Sequence, residues 1–153
     1  MSSLESMQSS ICSEDLTANP MSRKRILLAD DHTEMLNEIR ALLDGEYEII
    51  GAVENGEKLV QAARALRPDL IVSDISMPVM TGFEAAAKIR ASGSTAKIIF
   101  LTVQSSPAYL KKARALGADG YVLKVYTNEQ LPQAVSSVLT GTPYFSPQLG
   151  THN

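Results

Sequence analysis

A single cysteine, no tryptophan and an aromatic share of only 5% in 153 residues set the first limits. Cys12 has no partner for an internal disulfide, and without a CxxC or a Cys/His cluster there is no zinc-ligand spacing. A reducing cytoplasm is the expected location. No apolar run approaches the ~20 residues needed to span a bilayer, so membrane insertion is not expected. The opening MSSLESMQSSICSEDLTANP lacks a basic region followed by an apolar one, which argues against a signal peptide or lipoprotein leader. Charge is equally unspecialised: 14 Lys+Arg stand against 17 Asp+Glu, a net −3. Arg23-Lys24-Arg25 is the only run of three consecutive basic residues, too short to neutralise a row of phosphates, so direct binding to nucleic acid or to an anionic membrane is not expected.

With 44% hydrophobic residues, the chain has the composition of one ordinary globular, mildly acidic domain. Residues 1–22 are Ser-rich without a sustained apolar period and read as a disordered extension, with Met21 as an alternative start. Beyond them, short apolar runs alternate with segments of helical period. Strands are expected at Arg25–Ala29, Tyr47–Val53, Leu70–Ser73, Ile98–Leu101 and Tyr121–Leu123. The intervening stripes are Met35/Leu36/Ile39/Leu42/Leu43, Leu59/Ala62/Ala63/Leu66, Phe83/Ala86/Ala87/Ile89, Leu110/Ala113/Leu116 and Leu131/Val135/Val138/Leu139. Gly45 and Gly117 mark helix ends. Pro132 is compatible with the last helix only in its first turn. After Leu139 the Gly- and Pro-containing TGTPYFSPQLGTHN reads as turn and coil. Strands alternating with crossover helices imply a doubly wound α/β domain, a five-stranded parallel sheet with helices on both faces. The division is an extension at 1–22, a domain at 23–140 and a tail or linker at 141–153.

In such sheets ligands bind beyond the carboxyl ends of the strands. Strand one ends in Asp30-Asp31, strand three in Asp74, strand four in Thr102 and strand five in Lys124. Strand two contributes only Glu54, as suits an edge position in the order 2-1-3-4-5. Each residue has a plainer reading: the acid pair complements a helix N-terminus, Asp74 caps a turn, Thr102 is a β-branched strand residue and Lys124 a solvated charge. Their joint placement on four strand ends argues for more. Converging carboxylates repel one another unless a cation intervenes, and hard oxygen donors suit Mg²⁺, with Mn²⁺ as the next candidate. A carboxylate can also attack phosphorus, with Lys and Thr available to bind phosphoryl oxygens.

The blocks ILLADDH, LIVSDISMPVMTG, IIFLTV and GADGYVLK resemble those of a two-component response regulator receiver domain across about residues 24–140. The resemblance implies a flavodoxin-like receiver fold with Asp74 as phosphoacceptor. It also implies an Mg²⁺ pocket of Asp31 directly, Asp30 through water, Asp74 and the Ser76 main-chain carbonyl. Thr102 and Lys124 would bind phosphoryl oxygens, and Thr102 and Tyr121 would form the switch. Thr102 would move inward and the Tyr121 ring would turn into the space it leaves, altering the face of the fourth helix, fifth strand and fifth helix. The implied partner is a sensor histidine kinase, with a homodimer through that face as the candidate assembly. The implied role is regulatory, without catalytic turnover. Two positions depart from the common pattern: Val125 stands where many receivers have Pro, and Val103 where a small residue is usual. His32 reads foremost as a helix-start residue. DDH and VLTGTPYFSP further resemble regulators of the NarL/FixJ kind, whose output is transcriptional.

Two other readings compete with this one. A haloacid-dehalogenase-type phosphatase also uses an aspartyl nucleophile, but requires a DxD pair where Asp30 and Asp31 are adjacent. A nonphosphorylated receiver-like dimerisation adaptor would have lost an acid, Thr or Lys position, and all are present here.

Overall fold

A computed structural model describes residues 22–149 of the chain. Its elements run β1 (Arg25–Ala29), α1 (Thr33–Leu43), β2 (Glu48–Val53), α2 (Gly56–Leu66), β3 (Leu70–Ser73), α3 (Gly82–Ala91), β4 (Lys97–Thr102), α4 (Pro107–Ala115), β5 (Gly120–Leu123), a 3₁₀ turn at Lys124–Tyr126, α5 (Thr127–Leu139), β6 (Tyr144–Phe145) and a 3₁₀ turn at Pro147–Leu149. The proposed extension at 1–22, with Cys12 and Met21, lies outside the described residues apart from Ser22.

The sheet is parallel throughout, in the order β2-β1-β3-β4-β5-β6. The first five strands follow the expected order. The sixth corrects the five-stranded expectation and the reading of the tail as coil: Tyr144 pairs with Gly120 and Phe145 with Tyr121. A two-residue strand is too short to show an alternating pattern, and partners supplied by β5 decide the conformation instead.

The central strands are buried on both sides, so their apolar runs look continuous in sequence, yet the pleat divides them. Leu27, Ala29, Ile71, Ile98, Phe100 and Tyr121 join the α2, α3 and α4 residues Leu59, Ala63, Phe83, Ala86, Ile89 and Leu110 in one core. Ile26, Leu28, Leu70, Val72, Ile99 and Val122 join Ile39, Leu43, Leu131, Val135 and Val138 of α1 and α5 in the other. The helical stripes are therefore those anticipated, except that Ala87 is exposed and Ala85 takes the buried position.

Local chemistry sets the helix ends. Asn55 and Ser106 cap α2 and α4, and Thr81 with Glu84 forms a capping box on α3. Pro132 sits in the second turn of α5 rather than the first. It offers no N–H to the carbonyl of Asn128, and the helix continues because Leu131, Ala134, Val135 and Val138 are buried against the sheet.

Candidate functional site at the strand ends

Parallel strands of similar register bring their last residues to one edge. Asp30 follows β1, where its N–H donates to the Val53 carbonyl at 3.0 Å. Asp74 follows β3, where its N–H donates to the Ala29 carbonyl at 2.9 Å. Both carboxylates are buried, at 1% and 6% exposure, whereas Asp31 is exposed. Lys124 lies immediately after β5. Its ammonium is 2.8 Å from Asp30 Oδ2 and 3.0 Å from Asp74 Oδ2, bridging the two acids. Asp74 also accepts the Ile75 N–H through Oδ1 at 2.7 Å.

Burial pushes the Asp74 carboxyl above its ordinary value and the Asp30 charge adds to this, while Lys124 and the Ile75 N–H oppose without cancelling it. Burial pulls the Lys124 ammonium down, but hydrogen bonds and attraction from Asp30 and Asp74 outweigh it and leave the group raised. Lys124 is therefore a firmly held cation between two acids.

His32 donates its backbone N–H to Asp30 Oδ1 at 2.9 Å, and its ring Nδ1 lies 3.1 Å from that oxygen and 3.2 Å from Asp31 Oδ1. One ligand atom from each of Asp30, Asp31, His32 and Asp74 falls within 4.8 Å of the others. Among the described residues Lys124 sets one ammonium against three carboxylates, so the crevice keeps an excess of negative charge and hard oxygen donors. This donor set fits a small divalent cation.

Glycine is required behind Asp74. A Cβ on Gly82 would strike the Asp74 carbonyl oxygen, and a Cβ on Gly56 the Met80 carbonyl oxygen. The Gly82 N–H donates to the Ile75 carbonyl at 2.7 Å, so the start of α3 is pressed against the loop that carries Asp74. Within that loop Ser76 is exposed and the β-branched Val79 adopts a left-handed φ of 70°.

Thr102, fully buried at the end of β4, accepts the Gln104 N–H through Oγ1 at 3.2 Å. Tyr121 is also fully buried, and its hydroxyl donates to the Gln104 carbonyl at 2.6 Å. Burial pushes the phenol far above its ordinary value, with Tyr109 and Asp74 adding to this, so it remains a donor. The ring thus lies in the interior, and one loop residue joins Thr102 to Tyr121. Gln104 has no motif signal, and its part is played by backbone atoms. Val103 and Val125, the two departures from the family pattern, are exposed. Glu54 pairs with Lys58 at 2.8 Å, away from the acid cluster.

Known proteins share this sequence pattern and fold. Residues 26–136 match the family model described as the response regulator receiver domain. The chain is 38% identical over 117 residues to the chemotaxis protein CheY of Halobacterium salinarum, covering 76% of this chain and 98% of that protein. It is 34% identical to the transcriptional regulatory protein DesR of Bacillus subtilis, covering 81% of this chain but 62% of the relative. The chain thus spans nearly all of one relative and less than two thirds of several transcriptional regulators. Among solved structures, a LuxR-family two-component response regulator from Aurantimonas sp. SI85-9A1 superposes with a TM-score of 0.79 at 31% identity, covering 84% of this chain and 93% of that one. The isolated receiver domain of RcsB from Salmonella enterica serovar Typhimurium, determined in the presence of phosphomimetic BeF3⁻, gives 0.77 at 26% identity, covering 84% and 96%. The family match and the relatives favour a phosphorylation-controlled switch in two-component signalling over a dehalogenase-type phosphatase or a nonphosphorylated adaptor, and the chain belongs to the response regulator receiver domain family.

Proposed function

We propose that Asp74 is the phosphoacceptor, receiving its phosphoryl group from a sensor histidine kinase. The observation that carries this reading is the buried Asp74 carboxylate with Lys124 on one oxygen and Asp30 and Asp31 beside it. Asp74 Oδ would attack the donor's phosphorus as the bond to the donor histidine nitrogen breaks, forming an acyl phosphate. Lys124 would turn its ammonium from the carboxylate to a phosphoryl oxygen, and the Thr102 hydroxyl would donate to another. Asp31 directly, Asp30 through water, Asp74 and the Ser76 carbonyl would hold Mg²⁺, or Mn²⁺ in its place. An ion held there would supply neutralisation of the charge on the phosphoryl oxygens.

The new charge would bias a two-state element, since turnover is not the purpose of the site. Thr102 and Tyr121, joined through Gln104, would carry the bias to the α4–β5–α5 face. That face is the candidate surface for a homodimer and for control of an output module or partner in transcription. Direct nucleic-acid contact by residues 22–149 is not part of this reading. Among the described residues no helix is long and apolar enough to cross a membrane, and a cytoplasmic location is proposed.

The test is a melting curve across an Mg²⁺ titration, because a ligand of the folded state raises Tm by mass action. A rising Tm in wild type and a weakened rise in Asp31→Asn are expected. No rise in wild type would remove the metal pocket.

A further inference from the structure

The segment after α5 is bound to the rest of the fold more fully than a linker needs to be. Its backbone continues the sheet: the Tyr144 N–H donates to the Asp119 carbonyl at 3.0 Å, and the Ser146 N–H to the Tyr121 carbonyl at 2.8 Å. Ser146, 3% exposed, accepts the Leu123 N–H at 3.2 Å through Oγ and donates from it to Gln130 Oε1 at 2.5 Å. Gln130 in turn donates to Gln148 Oε1 at 2.7 Å. Phe145 lies under the Arg114 guanidinium of α4 at 4.1 Å, and Leu149 is buried in the core that holds Tyr121. Gly120 permits the approach, since a Cβ there would stand 3.1 Å from the Tyr144 carbonyl oxygen and 2.9 Å from an Ile99 side-chain carbon.

Tyr121 is common to this segment and to the crevice. Its hydroxyl is held by Gln104, whose N–H is bonded to Thr102, and its carbonyl is held by Ser146. We propose that Tyr144–Leu149 is a strap whose docking on β5 reports the state of the crevice, with Tyr121 as the joint: the inward ring and the docked strap stabilise each other. The strap then belongs to the α4–β5–α5 face, with β6 as its outer edge and Phe145 and Arg114 as its contact to α4. A group that fills the crevice and holds the ring inward tightens the strap, and by linkage an intact strap tightens binding in the crevice.

This inference rests on the reading of the crevice as a phosphoryl site, and the experiment separates the two. Amide hydrogen exchange of the full chain is followed at Leu123, Tyr144 and Ser146, with and without Mg²⁺ and fluoroberyllate, while ¹⁹F NMR reports bound fluoroberyllate. Slower exchange at these amides on binding is expected, and bound fluoroberyllate with unchanged or faster exchange overturns the strap. Absence of a bound ¹⁹F signal would count against the phosphoryl site, and the strap is then decided without ligand. Tyr121→Phe, which removes the bond to Gln104, is expected to speed exchange at Tyr144 and Ser146 by about fivefold, the worth of one buried hydrogen bond. Exchange at the wild-type rate in that variant overturns the joint. Ser146→Ala supplies the reciprocal arm: several-fold weaker fluoroberyllate binding is expected, and unchanged affinity contradicts the linkage.

Discussion

Lys124 Nζ lies 3.0 Å from Asp74 Oδ2, an ion pair between residues 50 positions apart that the ends of β3 and β5 bring together. The same ammonium reaches Asp30 at 2.8 Å, so it is the counter-charge of both buried acids. Lys124→Met is therefore expected to destabilise the metal-free protein by about 2–4 kcal/mol, because two desolvated carboxylates lose their partner. Urea unfolding in chelator measures this, and Mg²⁺ should restore more stability to the variant than to wild type. A variant as stable as wild type would mean that solvent already compensates the acids.

The pH dependence of Asp74 has a definite sign. Its folded-state pKa is raised, so folding favours the protonated carboxyl. That advantage is full below the usual carboxylate pKa and is lost as pH rises through the raised value. At neutral pH without metal, Asp74→Asn should melt higher than wild type, and the difference should fade as the pH falls into the carboxylate range. Paired thermal melts from pH 7 to pH 4 would show it, and a variant less stable than wild type at pH 7 would reverse the sign.

Gly82 controls the same carboxylate from behind. Since its Cβ would meet the Asp74 carbonyl oxygen, Gly82→Ala must push α3 or the Asp74 loop aside, at a cost of about 1–3 kcal/mol. The rate of phosphorylation by acetyl phosphate should fall together with stability. Ala at the exposed Gly93 is the control for a glycine with open space, although its φ of 88° carries a strain of its own.

Val79 carries strain that its neighbours impose. A β-branched residue at φ 70°, 76% exposed, gains nothing from burial to offset the left-handed backbone. Val79→Asn should stabilise the protein by about 1 kcal/mol, since Asn tolerates that region. Denaturant midpoints decide it, and an Asn variant less stable than wild type would contradict the assignment of strain.

Val103 follows Thr102 and stands exposed in the β4–α4 loop. Val103→Ala is expected to be phosphorylated faster by a small donor, through easier approach to the crevice. Equal rates in a time course would show that the valine does not limit access.

Much of this arrangement is legible in the sequence because parallel strands deliver their terminal residues to one edge. Asp30, Asp31, Asp74, Thr102 and Lys124 each follow or end a short apolar run, so their convergence follows from alternation and strand order. The position of β2 at the edge likewise explains why Glu54 stays outside the cluster. What escaped depends on partners distant in sequence. Tyr144 and Phe145 become a strand through bonds to Asp119 and Tyr121, and no local period announces them. Gln104 links Thr102 to Tyr121 through its N–H and carbonyl, groups that every residue but proline carries. Pro132 contradicts a local rule because burial of its neighbours outweighs one missing hydrogen bond.

Asp74 as phosphoacceptor is tested most directly by intact mass after incubation with acetyl phosphate and Mg²⁺. Wild type should gain the mass of one phosphoryl group, lost on addition of hydroxylamine as an acyl phosphate must be, and Asp74→Asn should gain none. An adduct of the same mass on Asp74→Asn, or no adduct on folded wild type, would contradict the assignment.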